Sequence, residues 1–377
     1  MVPMRGRSPT EPHRVATPLE LFFDLVFVVA IAQAGSGLHH AIAHQQVVEG
    51  VIRYAMVFFA IWWAWMNFTW FASAYDSDDV PYRVTVFLQM TGALILTAGI
   101  PAMFASQDFT LAVAGYVVMR LAMVAQWLRA ARGDPIHRSA ARRYALGIGL
   151  VQVAWVLWLL LPGEYLRLAF VAFAGMELAI PAWAERAGMT PWHPHHITER
   201  YGLMTIIVLG ESVLAATLAT EEALASGSAL KGLAPQIGGG LLIVYALWWL
   251  YFYRPVHDHL TSLGRAMTWG YGHYLVFASA AAVGAGLAVA LDQDIGKAVI
   301  SDRTAGAAVA IPVALYLASL WLLHGSGPGS AVRYAAPIAI GLILLTPFTG
   351  QPVLLVGVVL TLLLSVKLVA RAQAPAG

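Results

Sequence analysis

Arg120 in YVVMRLAMVAQW, Glu177 in FAGMELAIP and Glu211 in IIVLGESVL are ionisable side chains set in runs that are otherwise almost wholly apolar. A guanidinium does not give up its proton, so in an apolar setting it needs a carboxylate close by. Two carboxyls beside one guanidinium offer more than a pair. One neutralises the cation, and the second, crowded by the first, can hold and exchange a proton. Proton carriage or capture of a charged substrate is the chemistry such a trio supports; the competing reading is an ion pair that fixes helix register.

A second group begins with Asp24 in LELFFDLVFVVAIAQ. It lies roughly 9 Å beyond Pro18 along a helix rising 1.5 Å per residue, too deep for a capping role. A carboxylate facing lipid there is costly, so Asp24 is expected to face protein or a water-filled cavity. Asn67, Gln89 and His273 are its expected inward companions, forming with it either a hydrogen-bonded knot between helices or an inner proton or substrate station. Glu20 reads differently, because Thr17, Pro18 and Glu20 match a capping box with a first-turn proline. Glu199 and Arg200, at the start of a later apolar run, read as an interfacial charge pair. His193, His195 and His196 in TPWHPHHITER invite a metal, but Pro191 and Pro194 keep that stretch irregular and no Cys or acidic trio accompanies it. No metal and no cofactor is expected.

These residues need helices buried in lipid to position them. Of the 377 residues 59% are hydrophobic and only 11% charged, too much apolar surface for a chain bathed in water. The expected fold is all-α and polytopic, with about twelve transmembrane helices at roughly 18–38, 47–73, 82–104, 109–129, 141–161, 166–184, 197–219, 235–253, 267–291, 304–324, 332–348 and 352–370. At about 1.5 Å per residue and a core of about 30 Å, Arg120, Glu177 and Glu211 fall between the midplane and the outer third, and are expected to converge in one inward-facing cluster. The opening MVPMRGRSPTEPHRVAT has no apolar core, so no cleavable signal peptide is expected. With 0 Cys there is no disulfide framework and no thiol nucleophile. A net charge of +2, with the basic residues spread over loops, argues against nucleic acid; membrane lipid and an unknown small molecule or ion are the expected partners.

If the N-terminus is inside, sixteen of the 22 Lys and Arg fall on that side. Five, namely Arg53, Arg167, Lys231, Lys297 and Arg303, fall on the other, and Arg120 lies within a span. This bias places both termini in the cytoplasm. LELFFDLVFVVAIAQ can be laid on TERYGLMTIIVLGES, and FAIWWAW on YALWWLY at a similar offset. The expectation is a parallel duplication, residues 1–190 and 191–377, with six spans in each half. Trp62, Trp63, Trp65, Trp248 and Trp249 read as interfacial or packing aromatics, and APQIGGGLL and AAAVGAGLAVA as small-residue surfaces for close helix packing.

TPLELFFDLVFVVAIAQ, followed about 180 residues later by HHITERYGLMTIIVLGESVLA, resembles the bacterial low temperature requirement protein A family, and the similarity covers most of the chain. The resemblance implies a bacterial inner-membrane protein associated with growth in the cold, and brings no substrate. From the residues, the leading function is a secondary transporter, with proton coupling as one form of it. The alternatives are an intramembrane enzyme acting on a lipid or isoprenoid carrier, and a membrane scaffold or sensor without catalysis. No phosphate loop, serine triad or diphosphate motif supports the enzyme.

Overall fold

A computed structural model describes residues 3–12, 14–227, 230–254, 260–324 and 330–373. Among the described residues it contains twelve α-helices and no strand. They are α1 (Pro18–Ala43), α2 (Val47–Tyr75), α3 (Val80–Ala105), α4 (Thr110–Gly133), α5 (Arg138–Trp158), α6 (Gly163–Glu185), α7 (Pro194–Ala225), α8 (Leu230–Tyr251), α9 (Leu263–Asp294), α10 (Asp302–His324), α11 (Ser330–Leu345) and α12 (Pro352–Ala372). The chain is therefore a polytopic, all-helical membrane protein. Among the described residues ten helices are long and apolar enough to cross a bilayer. Two of the twelve expected spans fall short: Arg138, Arg142 and Arg143 lower the hydropathy of α5, and α11 is only 16 residues long.

Local sequence explains the helix starts. Thr17 N and Oγ1 donate to Glu20 Oε2 at 2.7 and 2.9 Å while Glu20 N donates to Thr17 Oγ1 at 3.3 Å, the reciprocal pattern of a capping box. Asp79 caps α3 by accepting from Tyr82 N, and Ser262 caps α9 by accepting from Arg265 N.

The chain divides into two compact units, one built from residues 1–33 and 56–201, the other from 34–55 and 202–377. The helices α1, α2 and α7 each have residues in both. In the first unit α3 packs along α4, and α4, α5 and α6 follow as successive neighbours. Gly115 permits the α3–α4 approach, since a Cβ there would overlap the Leu96 backbone nitrogen. In the second unit α9 is the central helix: its Ala- and Gly-rich stretch from Val276 to Asp292 is buried throughout. A Cβ on Gly286 would strike the Ala308 carbonyl of α10, and one on Gly239 of α8 would come 2.7 Å from the Leu354 backbone of α12. The small residues of the two Gly- and Ala-rich stretches thus let backbones meet where larger side chains would hold them apart.

Candidate functional site

In the first unit the start of α1 and the start of α7 carry facing acidic and basic side chains at one-turn spacing. Glu20 and Asp24 lie on α1, His196 and Arg200 on α7, and all four are 0% exposed. Arg200 grips Asp24 with two bonds, Nη2 to Oδ1 at 2.5 Å and Nε to Oδ2 at 3.1 Å. Its Nη1 lies 2.9 Å from Glu20 Oε1. His196 Nε2 is 3.2 Å from that same oxygen. Arg14 Nη2 stands 3.7 Å from Glu20 Oε1 and 3.7 Å from Asp76 Oδ2. Trp65 Nε1 donates to Asp24 Oδ1 at 2.7 Å. Glu20 therefore divides its labour: Oε2 caps the helix, while Oε1 faces the Arg200 and Arg14 guanidinium groups and the His196 ring. In the α2–α3 loop, burial and then the Glu20 charge push the Asp76 carboxyl up, with Arg14 and Arg7 opposing.

Arg200 and Glu199 do not pair as the sequence suggested. Adjacent residues on a helix point about 100° apart, so while Arg200 turns inward, Glu199 accepts from Ala16 N at 3.2 Å. The neighbouring His193, ahead of α7, bonds the Glu11 carbonyl through Nε2 at 3.0 Å and donates its backbone N–H to Ser73 Oγ. Burial pushes His193 below the ordinary histidine range.

The first unit holds a second charge centre. Glu177 on α6 is 0% exposed and pairs with Arg120 Nη2 on α4 at 2.7 Å. The same carboxylate accepts from Trp63 Nε1 at 2.9 Å and Tyr116 Oη at 3.0 Å. Gln152 Nε2 and Trp155 Nε1 of α5 each lie 3.3 Å from Oε1. One carboxylate thereby ties α2, α4, α5 and α6 together, and its acceptor capacity is filled. Arg120 retains Nε and Nη1, buried without hydrogen-bond partners. Tyr116 and Trp155 also wall a wholly apolar cavity of about 40 Å³. Trp63 and Trp65 are 1% exposed and donate to Glu177 and Asp24, so they are anchors of the two charge centres, whereas Trp248 and Trp249 are each 46% exposed.

The inner companions expected for Asp24 have other partners. Asn67 Nδ2 donates to the Trp63 carbonyl of its own helix at 2.7 Å. Gln89 Nε2 donates to Gln126 Oε1 at 2.9 Å, and Gln126 in turn to Thr85 Oγ1 at 3.0 Å, which joins α3 to α4.

His273 and Glu211 belong to the second unit. His273 is 0% exposed; its Nδ1 reaches the Trp269 carbonyl at 2.8 Å and its Nε2 the Tyr251 hydroxyl at 3.1 Å. A carbonyl only accepts, so Nδ1 carries the proton and Nε2 accepts from Tyr251. Glu211 on α7 is 8% exposed, and its Oε2 is buried without a hydrogen-bond partner. Among the described residues no Lys, Arg or His pairs with it, and Tyr54 lies within range of its charge. The next residue, Ser212, ties α7 to α9 by donating to the Ala280 carbonyl at 2.9 Å.

The profile of the family described as bacterial low temperature requirement A protein (LtrA) matches residues 15–372. The chain belongs to this family. An uncharacterised protein of Rhizobium meliloti (strain 1021) is 26% identical to it over 253 residues, 65% of this chain and 59% of that protein. The chain thus spans less than two thirds of that curated relative. The two stretches that carried the LtrA resemblance, TPLELFFDLV and HHITERYG, are the ones that meet: the first supplies Glu20 and Asp24, the second His196 and Arg200. The i, i+4 spacing of an acidic pair in one stretch and a basic pair in the other was the sequence signal for this LtrA ladder. Arg14 and Asp76 gave no such signal, because each lies outside the regular helices.

Proposed function

We propose that this LtrA-family chain is a multi-pass inner-membrane secondary transporter that couples substrate movement to protons, with Glu211 as the exchanging carboxyl. The observation that supports this is the contrast between two buried glutamates. Glu177 has Arg120 and four neutral donors around it. Glu211 has no cation among the described residues and an oxygen left unbonded. A carboxyl without a cation in a spanning helix is suited to taking up and releasing a proton, whereas one locked by a guanidinium is suited to holding helices. Both termini are placed in the cytoplasm by the Lys and Arg bias. The halves 1–190 and 191–377 are read as a parallel duplication. The loops are too short for a soluble catalytic domain, and no phosphate loop, serine triad or diphosphate motif supports the intramembrane enzyme.

The test uses purified protein in liposomes that enclose a pH-sensitive dye and a small-molecule extract of the host cell. The wild type is expected to move protons faster than empty liposomes when that extract is present. Glu211→Gln should abolish the movement and Glu211→Asp retain part of it. Equal rates for wild type, Glu211→Gln and empty liposomes would overturn the proposal. Chemical change of the lipid without proton movement would favour the enzyme instead.

A further inference from the structure

A crevice of about 190 Å³ in the second unit lies between α7 and α8, with Leu287 and Leu291 of α9 as its floor. Its two walls change character in the same direction. On α7, Val213 gives way at one-turn steps to Thr217 and then Glu221; on α8, Val244 and Leu241 give way to Gln236. One end is hydrocarbon and the other is polar.

Among the described residues, the polar end has acceptors to offer and no free donor. Gln236 Nε2 donates to Asp294 Oδ2, and because an ionised carboxylate only accepts, the amide must sit this way round. That leaves Gln236 Oε1, buried and with no hydrogen-bond partner. Glu221 is free of ion pairs among the described residues; Lys297 pairs instead with the adjacent Glu222, its Nζ 2.7 Å from Oε1. A ligand head that satisfies a carboxylate and a carbonyl together must donate at least two hydrogen bonds, and a positive charge on it is favoured by Glu221 and Asp294; a primary ammonium meets both conditions. A bare metal ion would leave the apolar length of the crevice unfilled, and a carboxylate or phosphate head would be repelled by Glu221 and Asp294. The volume is below that of ordinary drug-sized sites, which suits one slender chain.

We infer that this crevice binds a single-chain hydrocarbon amphiphile with a primary ammonium head, the head at Glu221 and Gln236 and the chain along Thr217, Val213 and Leu241. The site is independent of the transport proposal, because binding is read without any gradient.

The experiment measures the unfolding temperature of the purified protein in phosphatidylcholine nanodiscs at neutral pH, titrated with decylamine, decanol and decanoate. Decylamine, which is protonated there, is expected to bind about tenfold more tightly than decanol, the usual value of a hydrogen bond to a charged group, and decanoate no better than decanol. Glu221→Gln should bring decylamine down to the decanol level. Gly240→Leu, which fills the crevice, should weaken both; a Cβ there meets Leu287 only at an ordinary 3.5 Å, so the fold is expected to accept it. The comparison of the three probes on the wild type needs no variant. Equal affinity for decylamine and decanol, or decylamine binding unchanged in both variants, would mean partition into the bilayer only and would overturn the inference.

Discussion

Asp24 and Arg200, 176 residues apart in sequence, are joined by two hydrogen bonds with both side chains shut off from solvent. Removing one partner of such a pair strands a charge, which costs about 3–5 kcal/mol. Arg200→Ala strands both Asp24 and Glu20 and is expected to be the most damaging single change at the ladder. Asp24→Leu combined with Arg200→Met should recover most of the loss. Chemical unfolding of the four proteins in a double-mutant cycle measures this; additive effects, within about 0.5 kcal/mol, would show that the two residues are not coupled.

Glu177→Gln keeps an acceptor for the two Trp and the Tyr but removes the charge opposite Arg120, and a loss of about 3–5 kcal/mol is expected. Arg120→Ala should be comparably harmful, and Arg120→Gln with Glu177→Gln together milder than either. Glu211→Gln, which breaks no ion pair, should stay within about 1 kcal/mol of the wild type. Unfolding midpoints of the purified variants give the order. If Glu211→Gln proved as destabilising as Glu177→Gln, the division of labour between the two glutamates would be wrong.

Asp134, just past α4, has its carboxyl held below the usual range: burial raises it, but the side chain and backbone of His137 and the Ile136 N–H together outweigh burial. His137 Nδ1 is 2.7 Å from Oδ2. The depressed value means that the folded state favours the ionised form. Its contribution is complete above the unfolded value of about 3.9 and is lost as pH falls through the folded one. Protection factors of the α4–α5 turn amides, which divide out the intrinsic pH dependence of exchange, should therefore be flat from neutral pH down to about 4 and fall below it. In His137→Ala the fall should begin at the same pH, which the unfolded value sets, and be smaller. A fall of the same size in both proteins would remove His137 from the account.

Gly115→Val should separate α3 from α4, because the added side chain meets the Leu96 backbone, which cannot rotate away as a side chain can. A loss of about 1–3 kcal/mol is the ordinary cost of overpacking. Thermal unfolding in detergent reads it, and an unchanged midpoint would show that the two helices can part freely.

The absence of native Cys allows labelling at single introduced positions. If both termini are cytoplasmic, as proposed from the Lys and Arg bias, Arg138→Cys should react with a membrane-impermeant maleimide only in inverted vesicles, and Lys297→Cys only in intact cells. The reverse pattern would invert the orientation.

Much of this protein is decided by local sequence. Hydropathy and segment length dictate helices in lipid, because hydrocarbon offers backbone groups no other partner. Thr17, Pro18 and Glu20 specify their own helix start, since a capping box closes within four residues. The depth of Arg120 along α4 demands a buried carboxylate somewhere. Which carboxylate answers was not legible: rise per residue sets depth but not the direction a helix turns its faces, and that direction follows from packing against segments far away in the chain. Tertiary structure therefore decided that Glu177 saturates Arg120, that Arg200 leaves Glu199 for Asp24, and that Trp63 and Trp65 become donors to two separate carboxylates. Two residues apart on α2, those tryptophans point about 200° from one another around its axis, so a single helix can serve both charge centres of the first unit.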